Sequence, residues 1–197
     1  MEIENDIWQQ YYAKALATPH LKRTEFAVKL NQSQTKVAID CGCGTGSDMD
    51  YLHQQAYQVY GFDAHPDAVE ICRQRFANCS LIDVLQDTFE HYDYPRCGII
   101  VANNALFFAD PYLFTNTWQK IVAALDVGGV FVGDFMGSKD SWATGHHCTT
   151  TPLTEVQVRA LFVDFDIIRF IERDEPGMTA LGNNKHWHTF SVVAVKS

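Results

Sequence analysis

Val37-Ala-Ile-Asp40-Cys-Gly42-Cys-Gly44-Thr-Gly46 is the stretch whose reading decides the fold. A short apolar strand, Lys36 to Asp40, runs straight into a turn with glycine at every second position, and Ser47 to Gln55 continues with helical spacing. Strand, glycine turn and helix make the opening unit of a layered α/β sheet. Glycines at such a turn accept left-handed backbone angles and let a ligand come close to the main chain. A plain glycine-rich turn has the same local look. Three features point beyond it: Asp40 directly precedes the turn, Gly42, Gly44 and Gly46 alternate strictly, and a second strand, Gln58 to Asp63, ends in an acid seventeen residues past Gly46.

Outward from this unit the chain alternates strand and helix. Upstream, residues 4–17 carry Ile7, Trp8, Tyr11, Tyr12 and Ala15 at helical spacing. Pro19 ends that helix, and a second helix runs from Leu21 to Leu30. Downstream, Pro66 to Phe76 is a helix with proline at its tolerated first position. Cys79 to Leu85 and Gly98 to Ala102 are strands, the latter with the unbroken apolar character of a strand buried on both faces. Pro111 to Leu125 is an amphipathic helix broken by Gly128-Gly129, and Val130 to Phe135 is a fifth strand.

The tail departs from this rhythm. Ser138 to Pro152 reads as a polar loop, and Pro152 to Phe162 as a helix. Phe165 to Ile171 and Trp187 to Val195 are strands separated by Glu172 to His186, a segment with Pro176, Gly177, Gly182, Asn183 and Asn184 that reads as loop. A parallel pair needs a crossover of about a dozen or more residues, usually helical, so these two strands are expected to be antiparallel. The expected architecture is an open sheet of mostly parallel strands finished by an antiparallel hairpin.

With 197 residues the chain suits one well-buried domain. Lys and Arg number 15 against 24 Asp and Glu, a net charge of −9. That balance disfavours nucleic acid and anionic membrane surfaces as partners. The acidic start, MEIENDIW, lacks the basic and apolar regions of an export signal, and no apolar run approaches the ~18 residues that span a bilayer. The expectation is a cytoplasmic protein with reduced thiols, a monomer or homodimer acting on a small molecule. The six cysteines are too sparse for a disulfide scaffold. Cys41 and Cys43 lack a second cysteine pair with zinc spacing and read as small fillers of the turn; no metal is expected.

A dinucleotide-binding turn would place its third small residue at Ser47 rather than Gly46. Asp40 and Asp48 flank the turn and would oppose a pyrophosphate, whereas they suit a cationic ligand. In these motifs the sequence resembles the class I S-adenosylmethionine-dependent methyltransferases over about its whole length. The pattern of that family is an acid before G-x-G-x-G, an acid ending the second strand and a glycine turn before the fifth strand. Here these are Asp40, Gly42-Cys-Gly44-Thr-Gly46, Asp63 and Leu125-Asp-Val-Gly128-Gly129. Within the family the sequence is most similar to the bacterial tellurite-resistance-like branch. The strings carrying that likeness are Asn104-Ala-Leu-Phe-Phe108, Val132-Gly-Asp-Phe-Met-Gly-Ser-Lys-Asp-Ser-Trp142 and Lys185-His-Trp-His-Thr-Phe190.

The resemblance implies a Rossmann-like three-layer α/β sandwich, with a mostly parallel seven-stranded sheet and a C-terminal antiparallel hairpin. It implies S-adenosyl-L-methionine as cofactor, with S-adenosyl-L-homocysteine as product. Asp40 with Gly42, Cys43, Gly44 and Gly46 would hold the amino-acid end. Asp63, followed by Ala64, would take both ribose hydroxyls on its two carboxylate oxygens. Asp87-Thr88 is preferred over Asp83 for the adenine amino group, and Asn103 would flank the sulfonium through its backbone. No Asn-Pro-Pro-Tyr-like string follows strand four, which speaks against methylation of DNA bases.

The division expected on this basis is one domain, 1–197. Residues 1–30 form a helical lid that brings Tyr12 over the cofactor, 36–135 form the cofactor-binding core, and 136–197 form the substrate side. In open α/β sheets ligands lie beyond the carboxyl ends of the strands. An antiparallel last strand begins at that edge, which makes Lys185 and His186 the candidate catalytic pair, as anion-binding groups or, for His186, as a base. Phe107, Phe108 and Met136 to Trp142 reach the same edge. His146-His147, in the polar loop, is read as exposed to solvent. The expected activity is methyl transfer to a small molecule, with an anion, a thiol or a chalcogen oxyanion as candidate acceptors. The rivals are a nicotinamide-dependent oxidoreductase and a non-catalytic cofactor-binding regulator.

Overall fold

Strand β1 (Val37–Cys41) turns Ile39 and Cys41 to one face and Ala38 to the other, the period-two alternation of a strand buried on both sides. The same alternation recurs in β4 (Cys97–Ala102), with Ile100 and Ala102 against Ile99 and Val101, and in β5 (Leu125–Gly137), with Phe131 and Phe135 against Val130 and Val132. The structure, a computed structural model, describes residues 2–144 and 149–197, with side chains from residue 7 onward. His146 and His147 lie outside the described residues.

Together with β2 (Gln58–Asp63), β3 (Ile82–Gln86), β7 (Phe165–Met178) and β8 (Asn184–Lys196), these strands form one sheet in the order β3-β2-β1-β4-β5-β8-β7. β1 to β5 are parallel, and β8 returns antiparallel to both β5 and β7. Helices α2 (Lys22–Leu30), α3 (Ser47–Gln54) and α4 (Pro66–Arg75) give Ala27, Met49, Leu52, Val69 and Cys72 to the apolar cluster on one face. On the other face α5 (Phe114–Ala124) and α6 (Glu155–Leu161) give Phe114, Trp118, Ile121 and Val158. The Trp118 indole meets Phe131 and Phe162 edge-on, each with ring centroids 5.0 Å apart. The result is a three-layer sandwich. Helix α1 (Glu2–Ala15) lies at the carboxyl edge, tied by Gln9 to Asp67 and by Lys14 to the carbonyl of Ala180.

Four elements differ from the sequence reading. The segment Glu172 to His186 is mostly strand: β7 runs on to Met178 and pairs with β8 down to Asn184, leaving a turn at Thr179–Asn183. Pro176 is accommodated because β7 is an edge strand whose outer side has no partner for an N–H to miss. β5 begins at Leu125, opposite Cys97, and a register shift between Cys97 and Ile99 absorbs Gly128, whose φ is +76°. Pro152–Leu153 forms a two-residue strand, β6, beside Met136 and Gly137, so the sheet has an eighth, minor strand. α6 starts only at Glu155, where Thr154 and Gln157 close a capping box.

Candidate functional site

The chain winds outward from β1 to β3 and then returns to β4, so the carboxyl ends of β1 and β4 flank the crevice where this class of sheet binds ligands. The glycine turn lies there. Gly42, Gly44 and Gly46 have φ values of +70°, +53° and +79°. The N–H groups of Gly42 and Cys43 both donate to the Phe62 carbonyl, at 2.8 and 2.9 Å, which pins the turn to β2. A Cβ at Gly42 would lie 2.5 Å from that of Ala105, and one at Gly46 2.6 Å from the Phe76 ring. At Gly44 the corresponding space is open. Two of the glycines thus serve close packing, and the third borders open space. Cys41 and Cys43 are buried free thiols, and the Cys72 thiol donates to the Gly44 carbonyl.

The predicted acids converge on this turn. Asp40 is buried at the first turn of α3 and accepts the Met49 N–H. Burial, with Asp48, Cys72 and Asp63 nearby, raises its carboxyl well above the ordinary range. Asp63 accepts the N–H of Gly44 with one oxygen and that of His65 with the other, both at 2.9 Å; burial raises it too. Ala64 is exposed beside it. Asp87 follows the end of β3 and donates its N–H to the Asp63 carbonyl, while its side chain accepts from Thr88. Asp83 lies in mid-strand opposite Tyr60, away from that edge. Asn103 places its amide nitrogen 2.9 Å from Asp48, and its Oδ1 is buried without a partner. Asp48 itself is occupied by Thr24, the Leu21 N–H and Asn103, and acts as a tie between α2 and α3. Tyr12 is buried, 5.5 Å from the His65 ring, and feels the charge of Asp63. Tyr12, Asp40, the glycine turn, Asp63, Asp87 and Asn103 are therefore gathered at one edge of the sheet.

Lys185 and His186 lie apart from that gathering, Lys185 behind two indoles of the cavity described below. The Lys185 side chain is 1% exposed, bound to Asp140 and packed on the indoles of Trp142 and Trp187, 3.9 and 4.3 Å from the ring centres. Burial lowers its pKa, and Asp140 acts against that shift. Because β7 and β8 continue past the end of β5, the hairpin carries these residues beyond the crevice. The His186 ring contacts Asp174, on the far face from Trp187.

Glu172, Asp174 and His188 bring one potential metal-ligand atom each to within 4.8 Å of one another. However, His188 Nδ1 accepts the Lys139 N–H at 3.0 Å, which puts the ring proton on Nε2, where it donates to Glu172. Both ring nitrogens are thus used, and the Lys139 ammonium contacts Asp174. The cluster is a hydrogen-bonded network.

A cavity of about 780 Å³ opens between α1, α2 and the β7–β8 hairpin, and it reaches the crevice at Asn104. Trp8, Tyr11, Phe107, Phe108, Trp142 and Trp187 give it aromatic walls. Arg23 and Asp134 form its buried polar floor. Arg23 meets Asp134 with both guanidinium nitrogens, and Asp134 also accepts Ser191 Oγ at 2.5 Å and the Asn104 N–H at 2.8 Å. Asn104 has a φ of +54°, a left-handed angle that its bond to Asp134 holds in place. Sequence reasoning missed Arg23, Asp134 and Ser191, since nothing local marks three residues so distant along the chain. Asn104 and Asp134 did fall inside two of the strings quoted above.

Residues 38–129 match the methyltransferase domain family, and the chain has the fold of the methyltransferase structures named below. In sequence the chain is 30% identical over 108 residues to the uncharacterized methyltransferase YodH of Bacillus subtilis, covering 53% of this chain and 45% of YodH. The chain spans less than half the length of the curated relatives it matches. In structure it is similar to TehB from Haemophilus influenzae, with a TM-score of 0.75 at 16% identity over 96% of this chain and 67% of TehB. It is also similar to the 1,6-didemethyltoxoflavin-N1-methyltransferase of Burkholderia thailandensis, with a TM-score of 0.66 at 18% identity over 100% of this chain and 83% of that one. The latter structure holds 1,6-didemethyltoxoflavin and S-adenosylhomocysteine. At these identities the likeness is one of fold. No helix among the described residues is long and apolar enough to cross a membrane.

Proposed function

We propose that the protein transfers a methyl group from S-adenosylmethionine to a small molecule held in the aromatic cavity. The observation that carries this reading is the meeting of two sites at Asn103-Asn104. On one side stand the glycine turn and its acids, and on the other the cavity with its Arg23–Asp134 floor.

The residues present fit the donor. The space at Gly44 is open, Asn103 Oδ1 is a buried acceptor without a partner, and the surrounding carboxyls suit a cation. Asp40 and the turn would hold the ammonium and carboxylate of the amino-acid end. Asp63 would exchange part of its bonding to Gly44 and His65 for the ribose hydroxyls. Asp87 and Thr88 would meet the adenine edge, and Tyr12 would cover the site from α1. When bound, S-adenosylmethionine supplies a methyl carbon on a sulfonium: the acceptor's lone pair bonds to that carbon as the carbon–sulfur bond breaks, and the released electron pair stays on sulfur.

The chain's own contribution is orientation and exclusion of water. Asp134 has both oxygens occupied by Arg23, Ser191 and Asn104, so it positions the floor rather than taking a proton. Burial and the Asp63 charge raise the Tyr11 phenol, which leaves it protonated at neutral pH. An acceptor atom that is already nucleophilic suits this site. Titration calorimetry with S-adenosylmethionine, S-adenosylhomocysteine and NAD tests the reading. Binding of the two adenosyl sulfur ligands and not of NAD is the expected outcome; binding of NAD alone would overturn it.

A further inference from the structure

Resting on the reading above, we propose that the acceptor is a planar organic anion, an aromatic body bearing a carboxylate or similar oxyanion, with a methyl-accepting atom that needs no proton removed by the protein.

Three observations carry the proposal. The first is charge. Among the described residues lining the cavity, four are cationic, Lys22, Arg23, Arg169 and Arg173, and one, Asp134, is acidic. Asp134 neutralises Arg23. Arg173 gives Nε to Glu175 and lies over the Trp187 ring, and its terminal nitrogens remain available. Arg169 lies over Phe26, and neither it nor Lys22 makes an ion pair among the described residues. With Arg23 paired to Asp134 and Arg173 to Glu175, Arg169 and Lys22 are the lining cations left without an ion pair among the described residues, and in a chain of net charge −9 they make the cavity locally favourable to an anion. The planar guanidinium fork matches a carboxylate in particular.

The second observation is shape and size. Trp8, Tyr11, Phe107 and Phe108 present rings to the cavity, and Trp142 and Trp187, 5.9 Å apart, line it while also holding the Lys185 ammonium. A volume near 780 Å³ falls in the range that encloses a drug-sized organic ligand. A small inorganic oxyanion, a few times the ~30 Å³ share of one water, would leave most of it unfilled.

The third is the proton-accepting capacity of the described lining. The described lining holds no histidine, and its one carboxylate is fully engaged. A thiolate or an aromatic nitrogen brings its own lone pair, whereas an alcohol would need a base.

The test compares 4-mercaptobenzoate with its methyl ester, with the flexible 3-mercaptopropionate and with tellurite. Three of the chain's four tryptophans, Trp8, Trp142 and Trp187, line the cavity, so binding is read by fluorescence quenching without donor present. Turnover is read as S-adenosylhomocysteine formed. The aryl carboxylate is expected to quench, and to exceed each of the other three in kcat/KM by about tenfold or more. Arg169→Gln with Arg173→Gln should raise KM for the acid, leave the ester unchanged and so close the gap. Melting temperature and donor affinity of that variant confirm that it is folded. Equal use of acid and ester, preference for tellurite or 3-mercaptopropionate, or no quenching by the aryl acid would each overturn the proposal. Donor binding measured alongside separates the two failures: without it the methyltransferase reading falls, and with it only the acceptor assignment does.

Discussion

Arg23 and Asp134 are 111 positions apart in sequence and are joined through both guanidinium nitrogens and both carboxylate oxygens. The Asp134 side chain is 3% exposed and that of Arg23 17%. This pair fastens α2 to β5 at the point where the crevice becomes the cavity.

Arg23→Met should cost about 3–5 kcal/mol of stability, because it leaves Asp134 buried with only Ser191 and Asn104 as partners. Arg23→Met with Asp134→Leu should cost clearly less than the two single changes summed. Urea unfolding of the four proteins checks this; strictly additive losses would mean the pair is not coupled.

Asp63→Ala should weaken binding of S-adenosylmethionine by about 2–4 kcal/mol through loss of charge-assisted bonds to the ribose. It should also lower stability, since Asp63 is the acceptor for the Gly44 and His65 N–H groups. The change is therefore not neutral to folding, although the residue ends a strand at an open crevice. Calorimetry and thermal melting measure the two effects separately, and an affinity equal to the parent's would remove Asp63 from the donor site.

Binding of S-adenosylmethionine should release a proton in the pH range where the Asp40 carboxyl of the free protein is protonated. Asp40 is held well above its unfolded value by burial and neighbouring acids, so the folded apo protein binds more protons than the unfolded chain between the two pKa values. Its contribution to stability is accordingly greatest on the acid side and falls as pH rises through that window. A ligand ammonium beside Asp40 favours the ionised form and drives the proton off. Calorimetry in buffers of different ionisation enthalpy should show the release, and Asp40→Asn should abolish it. An enthalpy independent of buffer in the parent protein contradicts the assignment.

Lys185→Met should lower the melting temperature by several degrees, because it strands the Asp140 carboxylate in the interior. His186→Ala, at a half-exposed site, should leave the melting temperature within about 2 °C. Neither should alter donor affinity. A loss of turnover in a fully stable His186→Ala protein would return that residue to the catalytic site.

Removal of residues 1–17 should weaken donor binding more than it lowers the melting temperature. Tyr12 is buried beside Asp63 and His65, while α1 adds little to the two apolar clusters of the sheet. The opposite ordering would mark the helix as ordinary packing.

What the sequence made readable was local. The glycine turn, Asp40 and the acid ending β2 declare themselves within a few residues, because backbone angles and strand ends are set by near neighbours. The parallel direction of the first five strands followed from connections long enough to cross over. The extension of the β7–β8 hairpin through Met178 was obscured because Pro176 and Gly177 are poor strand formers in general yet harmless on an edge, where cross-strand pairing to His186 and Lys185 carries the structure. The longer hairpin also moves Lys185, at its start, past the end of β5. The Arg23–Asp134 floor was out of reach, since its partners meet only once the sheet has closed.

Gly137 and His188 have a bearing on descent. A methyl group at Gly137 would lie 2.1 Å from His188 Nδ1, and two residues that follow hold the same strand: Lys139 by its N–H to the ring, Asp140 by the His188 N–H and the Lys185 ammonium. The strings around Met136–Trp142 and Lys185–Phe190 are two halves of one latch. A lineage that altered one half would have to alter the other in step. The clasp therefore couples the two strings through hydrogen bonds and one close approach, so that a side chain in one restricts those in the other.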